Sequence, residues 1–295
     1  MSLRWTRLNN LAGAVTALAV AACSDAVSVS TPHLELSNDI GAFTRDEVEA
    51  AINALTLTTT VAPVGTTQAA SQASLVIPGC VSPTSGADSD GDGVPDNALF
   101  VFTAPPCEFT GWRGGSVDLV GQLRVQDPTP TAAGFGYEAT LNGLRSRFTS
   151  ADGKVIYDVT RNGTRTLSGS TTGLLLTTDL HIDRTFVGDL DAEVDKQWAV
   201  NYTPVTGLQI NGPLPSGTLE ITGTVDWRRG DAESMELTLT TATPLHYNAD
   251  CTDTVQRIDA GELRAAGTFD GDEGFLIIRW NQCGSEPRFG FESSE

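Results

Sequence analysis

From about Leu75 onward, apolar and polar positions alternate with a period of two. Val117, Leu119, Leu123 and Val125 are interleaved with Asp118, Gln122 and Arg124. Leu219, Ile221, Val225 and Trp227 are interleaved with Thr218, Glu220, Thr222, Thr224 and Asp226. Met235, Leu237 and Leu239 alternate with Glu236, Thr238 and Thr240. Successive side chains of a strand point to opposite faces, so each run predicts a strand with one buried and one wet face, the antiparallel habit. Threonine, whose branched side chain suits a pleated surface, is abundant at the outward positions. Asn142-Gly143, Asp152-Gly153, Asn162-Gly163 and Asn211-Gly212 accept positive φ and predict tight turns. Arg229-Gly230-Asp231 and Asp270-Gly271-Asp272 fall between strand pairs in the same way. Strands and helices do not alternate, which argues against a parallel sheet. The predicted fold is mainly β: a large antiparallel meander of about ten or more strands, closed into a barrel or folded into a sandwich. Outward Thr, Asp, Glu and Arg do not suit the lipid-facing wall of a membrane barrel.

One short N-terminal helix interrupts this picture. Thr44 and Glu47 fit a capping box, and Phe43 can staple onto Val48. Val48, Ala51, Ile52 and Leu55 share one face, which predicts an amphipathic helix from about 45 to 55. Residues 24 to about 40 are rich in Ser, Thr, Asn and Asp and read as a tether. The stretch 63–74 reads as irregular.

The extreme N-terminus has a different character. Arg4 and Arg7 precede an apolar run from Leu11 to Ala22, the length of a signal-peptide core and too short for a membrane-spanning helix. Val20-Ala21-Ala22-Cys23 closes that run. It resembles the lipobox of bacterial lipoproteins: an aliphatic residue, two small ones, then cysteine. The resemblance covers the first 23 residues and implies cleavage after Ala22 and acylation of Cys23 by diacylglycerol and palmitate. Ser24 stands where an Asp would resemble an inner-membrane retention signal, so the outer membrane is the expected address. Several acyl chains anchor durably where one alone is marginal. The expected organisation is a leader at 1–22, a tether at 23–40 and a single β domain at 41–295.

Composition narrows the partners. Eighteen basic residues stand against 37 acidic ones, a formal net charge of −19, and loss of Arg4 and Arg7 with the leader would deepen it. A surface this acidic repels phosphate backbones and attracts cations, which argues against nucleic acid as a partner. Beyond Cys23, four cysteines remain: Cys80, Cys107, Cys251 and Cys283. In an exported chain they read as disulfides, of which four cysteines allow three pairings. Pairing Cys80 with Cys107 and Cys251 with Cys283 closes two loops of roughly 30 residues, each constraining the unfolded chain by about 3 kcal/mol.

Asp88-Ser89-Asp90-Gly91-Asp92-Gly93-Val94-Pro95-Asp96 is the one local motif with chemistry. Acidic side chains occupy loop positions one, three, five and nine, and Gly93 takes position six. Calcium takes six to eight oxygens at about 2.3–2.6 Å. Alternate side chains of a tight loop can converge on one ion, Gly93 permits the sharp turn, and the Val94 carbonyl offers another oxygen. The stretch resembles the calcium loops of thrombospondin type 3 repeats and, more distantly, the EF-hand. That resemblance implies calcium ligation by Asp88, Asp90, Asp92 and Asp96. Position twelve is Leu99 rather than Glu, so a further ligand has to come from elsewhere.

No G-x-S-x-G elbow, H-E-x-x-H helix or P-loop occurs. His33, His181 and His246 lie far apart, without carboxylates at ligand spacing. Asp189, Asp191, Glu193 and Asp195 share one face of a strand-like stretch and read as a solvated face rather than a glycosidase pair. The expected protein is non-enzymatic: a lipid-anchored, calcium-stabilised β domain of the cell envelope, binding an envelope partner or serving structure. One alternative is a periplasmic carrier of a lipid or other hydrophobic ligand, drawn from Trp227, Phe269, Phe275, Ile277 and Trp280. Another is a carbohydrate-binding or carbohydrate-active protein, for which exposed tryptophans would speak and burial of Trp112 and Trp227 would count against.

Overall fold

The computed structural model describes most positions between 40 and 55, together with 86–110, 116–186, 190–210, 212–229, 233–251, 257–269 and 272–294. One helix, α1, runs through 40–55. Eleven strands follow: β1 Asn97–Thr110, β2 Ser116–Gln126, β3 Tyr137–Thr149, β4 Val155–Ser170, β5 Gly173–Phe186 and β6 Leu190–Pro204. The rest are β7 Gly217–Arg229, β8 Glu233–Tyr247, β9 Ile258–Phe269, β10 Asp272–Trp280 and β11 Arg288–Ser293. They form one antiparallel sheet whose spatial order is their order in the chain. The meander is therefore as expected, but the sheet neither closes into a barrel nor divides into the two layers of a sandwich.

The alternation sorts residues as the pattern requires. In β7, Leu219, Ile221, Val225 and Trp227 are buried, while Glu220, Thr222, Thr224 and Asp226 are exposed. The apolar group at the C-terminal end divides between faces. Trp280 and Leu276 join the main core, whereas the alternate positions Phe275 and Ile277 lie on the opposite side of β10, with Arg264 over the Phe275 ring.

The helix explains why the sheet stays open yet buries its inner face. The Tyr137 hydroxyl on β3 donates to the Ala54 carbonyl at 3.2 Å. Phe43 meets Trp227 of β7 edge to face, with ring centroids 5.4 Å apart. Gly41 lies so close to Phe289 of β11 that a Cβ there would meet the ring at 2.5 Å, and Arg45 bridges to Glu286 at 2.5 Å. Gly41 and Ala54 are about 20 Å apart along the helix axis. In a flat sheet β3 and β11 would be about 38 Å apart. One helix reaches both only because the sheet curls round it. Ile40, Phe43, Val48, Ala51, Ile52, Ala54 and Leu55 are all buried, as in a helix enclosed by protein.

Two local expectations are corrected. Thr44 does not cap the helix: it lies inside it, and its hydroxyl donates to the Ile40 carbonyl at 2.8 Å. Glu47 does not turn back to Thr44 but pairs with Lys196 on β6, because a buried carboxylate needs a counter-charge more than a helix start needs a cap. Asn142-Gly143 and Asn162-Gly163 are not hairpin turns. Gly143, at φ 57°, forms a bulge in β3 where the register shifts between Leu141 and Leu144. Gly163, at φ 128°, sits mid-strand, where a Cβ would meet the Asp179 carbonyl oxygen at 2.1 Å. Glycine serves there for close approach between tightly coiled strands. Asp152-Gly153 does form the β3–β4 turn, with Gly153 N–H donating to Ser150 O at 2.8 Å.

Candidate metal centre

The acidic loop precedes β1 at the open edge of the sheet. Gly91 and Gly93 take φ of 77° and 92°, the left-handed region that glycine enters freely. Those turns fold the aspartates inward. Asp88 accepts the Gly91 amide at 2.8 Å and the Gly93 amide at 3.0 Å. Asp90 accepts the Asp92 amide at 3.2 Å. Asp92, 1 % exposed, accepts the Val94 amide at 2.9 Å with one oxygen and the Gly134 amide at 3.1 Å with the other. The Val94 side chain is buried in the core and anchors the loop. Asp88, Asp90 and Asp92 each offer an oxygen within 4.8 Å of the others. Asp96 stands apart from this triad. Its carboxylate accepts the Ser89 hydroxyl at 2.6 Å and the Ser89 amide at 3.0 Å, which hold its pKa below the usual range.

The hairpin adds a residue that the loop sequence does not contain. Asn97 pairs with Gln126, so Asp96 and Asp127 lie opposite each other at the end of the β1–β2 ladder. The Asp127 amide donates to the Pro95 carbonyl at 3.1 Å and contacts the Asp96 carbonyl at 3.4 Å. Its side chain is 7 % exposed; Oδ1 accepts the Thr129 amide at 2.7 Å, and Oδ2 has no hydrogen-bond partner. Burial pushes the Asp127 carboxyl pKa up, and the charges of Asp92, Asp90 and Asp96 push it further, against the Thr129 hydrogen bond. Asp90 Oδ2 is likewise buried and unpartnered. The donor set is all oxygen, which suits a hard cation rather than zinc or copper. Asp127 lies 31 positions beyond Asp96 in the chain, and only the hairpin register brings the two together.

The other expected sites divide. Cys251 and Cys283 form a disulfide, with Cα atoms 5.9 Å apart. Cys107 lies on β1, and Cys80 and the proposed lipidation site Cys23 fall outside the described residues. His181 and His246 do have carboxylate neighbours, each across a strand pair, and His181 has a second one two positions along its own strand. His181 Nδ1 meets Asp195 at 2.7 Å, and its Nε2 lies 3.4 Å from Asp183. His246 meets Asp259 at 2.6 Å. Asp195 also pairs with Arg228, so this part of the acidic cluster is ion-paired on the outer face. His33, Asp189 and Trp112 lie outside the described residues.

The sequence also left one buried pair unread. Lys196, 1 % exposed, meets Glu47 inside the curl, with Arg165 3.9 Å from the same carboxylate. Burial raises the Glu47 pKa, but Lys196, Arg161 and Arg165 outweigh it and hold the carboxyl at about 2. Burial lowers the Lys196 pKa to about 8 against the pull of Glu47.

No family model matches this chain, and neither a curated protein nor a solved structure matches it.

Proposed function

We propose that the chain is a non-enzymatic, lipid-anchored protein of the bacterial outer membrane. Its β domain is stabilised by calcium and serves binding or envelope structure. The convergence of Asp88, Asp90 and Asp92 at a double-glycine turn carries the calcium part of this reading. Val20-Ala21-Ala22-Cys23 carries the anchor. The ion would sit where the loop, the start of β1 and the end of β2 meet, a place for bracing a free sheet edge rather than for turnover. Edge strands are the exposed liability of an open sheet, and bracing one is a structural task.

Two measurements test the proposal. Intact-mass analysis of the membrane-extracted protein should show loss of residues 1–22 and a diacylglycerol-sized addition at Cys23. A calcium-dependent rise in melting temperature should appear in the same preparation. An unacylated N-terminus would overturn the anchor, and an unchanged melting temperature the ion. Turnover of a hydrolase substrate, lost on changing one carboxylate, would overturn the non-enzymatic reading.

A carrier of a hydrophobic ligand is the second reading, favoured by the curl of the sheet. Its trough is filled by α1, with Trp227 packed on Phe43, so a ligand would have to take the helix's place. A co-purifying organic mass in native mass spectrometry would move the assignment to a carrier. The carbohydrate reading is weakened, because Trp227 is buried rather than displayed.

A further inference from the structure

A calcium loop that ends on an aliphatic residue is short of oxygen. The triad Asp88, Asp90 and Asp92 and one backbone carbonyl fall below the six to eight ligands that calcium takes. Leu99 occupies the position from which an EF-hand supplies its last carboxylate, and it belongs to β1. A missing ligand in a folded protein comes from whatever the tertiary structure brings to the mouth of the loop.

Asp127 stands beside the loop, next to Asp96 and outside the 4.8 Å triad. It is more than nine-tenths buried, and its backbone is tied to Pro95 and Asp96. The Thr129 amide takes one of its oxygens and fixes the side chain. The other oxygen has no donor, and the nearby charges it experiences, Asp92, Asp90 and Asp96, all belong to the loop. Asp90 contributes a second buried oxygen without a donor. Buried carboxylate oxygens normally find hydrogen-bond donors, because leaving them unmet is costly. Two of them in one acidic cluster have the chemistry of cation ligands. A second segment also grips the loop at the Gly134 amide, which holds Asp92 from the β2–β3 connection.

We infer that Asp127 supplies the ligand that the loop lacks, so that one hard divalent cation is held between two segments, 88–96 and 127–134. The inference rests on the calcium reading of the loop and extends it. The ion then joins the chain before β1 to the connection after β2 and clamps the open end of the β1–β2 ladder. Calcium suits the set better than magnesium. Four carboxylates, three from the loop and Asp127 from the second segment, match its high coordination number, whereas magnesium keeps several waters and few carboxylates.

The experiment is calcium titration of the full 295-residue chain by calorimetry in chelator-treated buffer, with melting curves taken in chelator and in calcium. Asp127→Asn is compared with the unchanged chain and with Glu138→Gln. Glu138 is exposed on β3 opposite Gln126, so its loss removes the same charge nearby without touching the loop. Asn keeps the oxygen that accepts the Thr129 amide. Asp127→Asn should weaken calcium binding at least about tenfold, the scale of losing one supporting group at a metal site. Glu138→Gln should change it less than about twofold. In chelator, Asp127→Asn should melt at or above the unchanged chain, because one of several crowded charges is gone, and its calcium-dependent rise should shrink.

An unchanged chain that binds no calcium overturns the loop reading and this inference together. Calcium binding by the unchanged chain that Asp127→Asn leaves intact, or weakens only as much as Glu138→Gln does, overturns the inference alone. So does an Asp127→Asn chain that melts lower or fails to fold in chelator, because Asp127 is then needed for the turn and not for the ion.

Discussion

Remove the Lys196 ammonium with Lys196→Met and the Glu47 carboxylate is left inside the curl with Arg165 at 3.9 Å. Remove the carboxylate with Glu47→Gln and Lys196 is left 1 % exposed, facing two arginines that no longer share an acid with it. Breaking a buried pair by deleting one partner costs about 3–5 kcal/mol. Neutralisation of the stranded group sets a ceiling. At pH 7.5, deprotonating a lysine of pKa 10.5 or protonating a carboxyl of pKa 4.5 costs about 4 kcal/mol. Glu47→Gln should therefore cost about 3–4 kcal/mol. Lys196→Met should cost less, under about 2 kcal/mol, because Arg161 and Arg165 still face the carboxylate and burial already penalises the ammonium that is removed. The double variant should cost less than the sum by about 2 kcal/mol, the coupling expected of groups in direct contact. Urea unfolding followed by tryptophan fluorescence is the assay. The Lys196 ammonium lies 4.2 Å from the Trp198 ring centre, and Trp227 packs on Phe43, so emission reports whether α1 is seated.

The pH profile gives an independent check. The folded Glu47 pKa of about 2 lies below its ordinary 4.5. Its contribution is present above pH 4.5 and is lost as pH falls from there toward 2, and Glu47→Gln should flatten that acid limb. The folded Lys196 pKa of about 8 lies below 10.5, so the unfolded chain binds more protons between those values. Stability should rise across that window, and Lys196→Met should abolish the rise. A Glu47→Gln cost below about 1 kcal/mol, or costs of the two substitutions that simply add, would refute a sealed, coupled pair.

Opening the Cys251–Cys283 bridge, which spans 32 positions, should lower stability by about 3–4 kcal/mol in urea titrations of the Cys251→Ala/Cys283→Ala variant. Gly163→Ala should cost more than Gly143→Ala, about 3 against about 1 kcal/mol, because only the first drives a Cβ into a neighbouring carbonyl. Equal costs would refute the close-approach account. Asp195 above all, with Asp183, raises the His181 pKa. The stability this pair contributes should be present below the ordinary histidine pKa and vanish as pH rises through the raised one. NMR titration of His181 in Asp195→Asn should show the pKa falling.

The strands and their buried faces were legible in the chain, because period-two alternation is a local consequence of the pleat. The helix was legible in the same way: Val48, Ala51, Ile52 and Leu55 are all buried as the spacing requires. Its start was misread because Thr44 and Glu47 satisfy a local rule, while burial against Lys196 and Ile40 decided their partners. The Asn-Gly dipeptides misled for a related reason. A positive φ is shared by turns, bulges and close strand contacts, and the dipeptide does not say which.

At the candidate metal centre, Asp88, Asp90 and Asp92 and their glycines could be named from spacing alone, because residues a few positions apart share a site whatever the fold. Asp127 could not. Its place beside Asp96 depends on which residues pair in the β1–β2 hairpin, and the chain does not write that register locally. The pairing of Glu47 with Lys196, 149 positions away, and the cross-strand carboxylates of His181 and His246 have the same origin. The choice of an open sheet belongs with them. Alternation specifies that each strand has an inside, but a barrel, a sandwich and a sheet curled round a helix all provide one. Packing α1 against strands from β3 to β11 selects among the three, because a helix lying in the trough buries the inner face that closure would otherwise have had to cover.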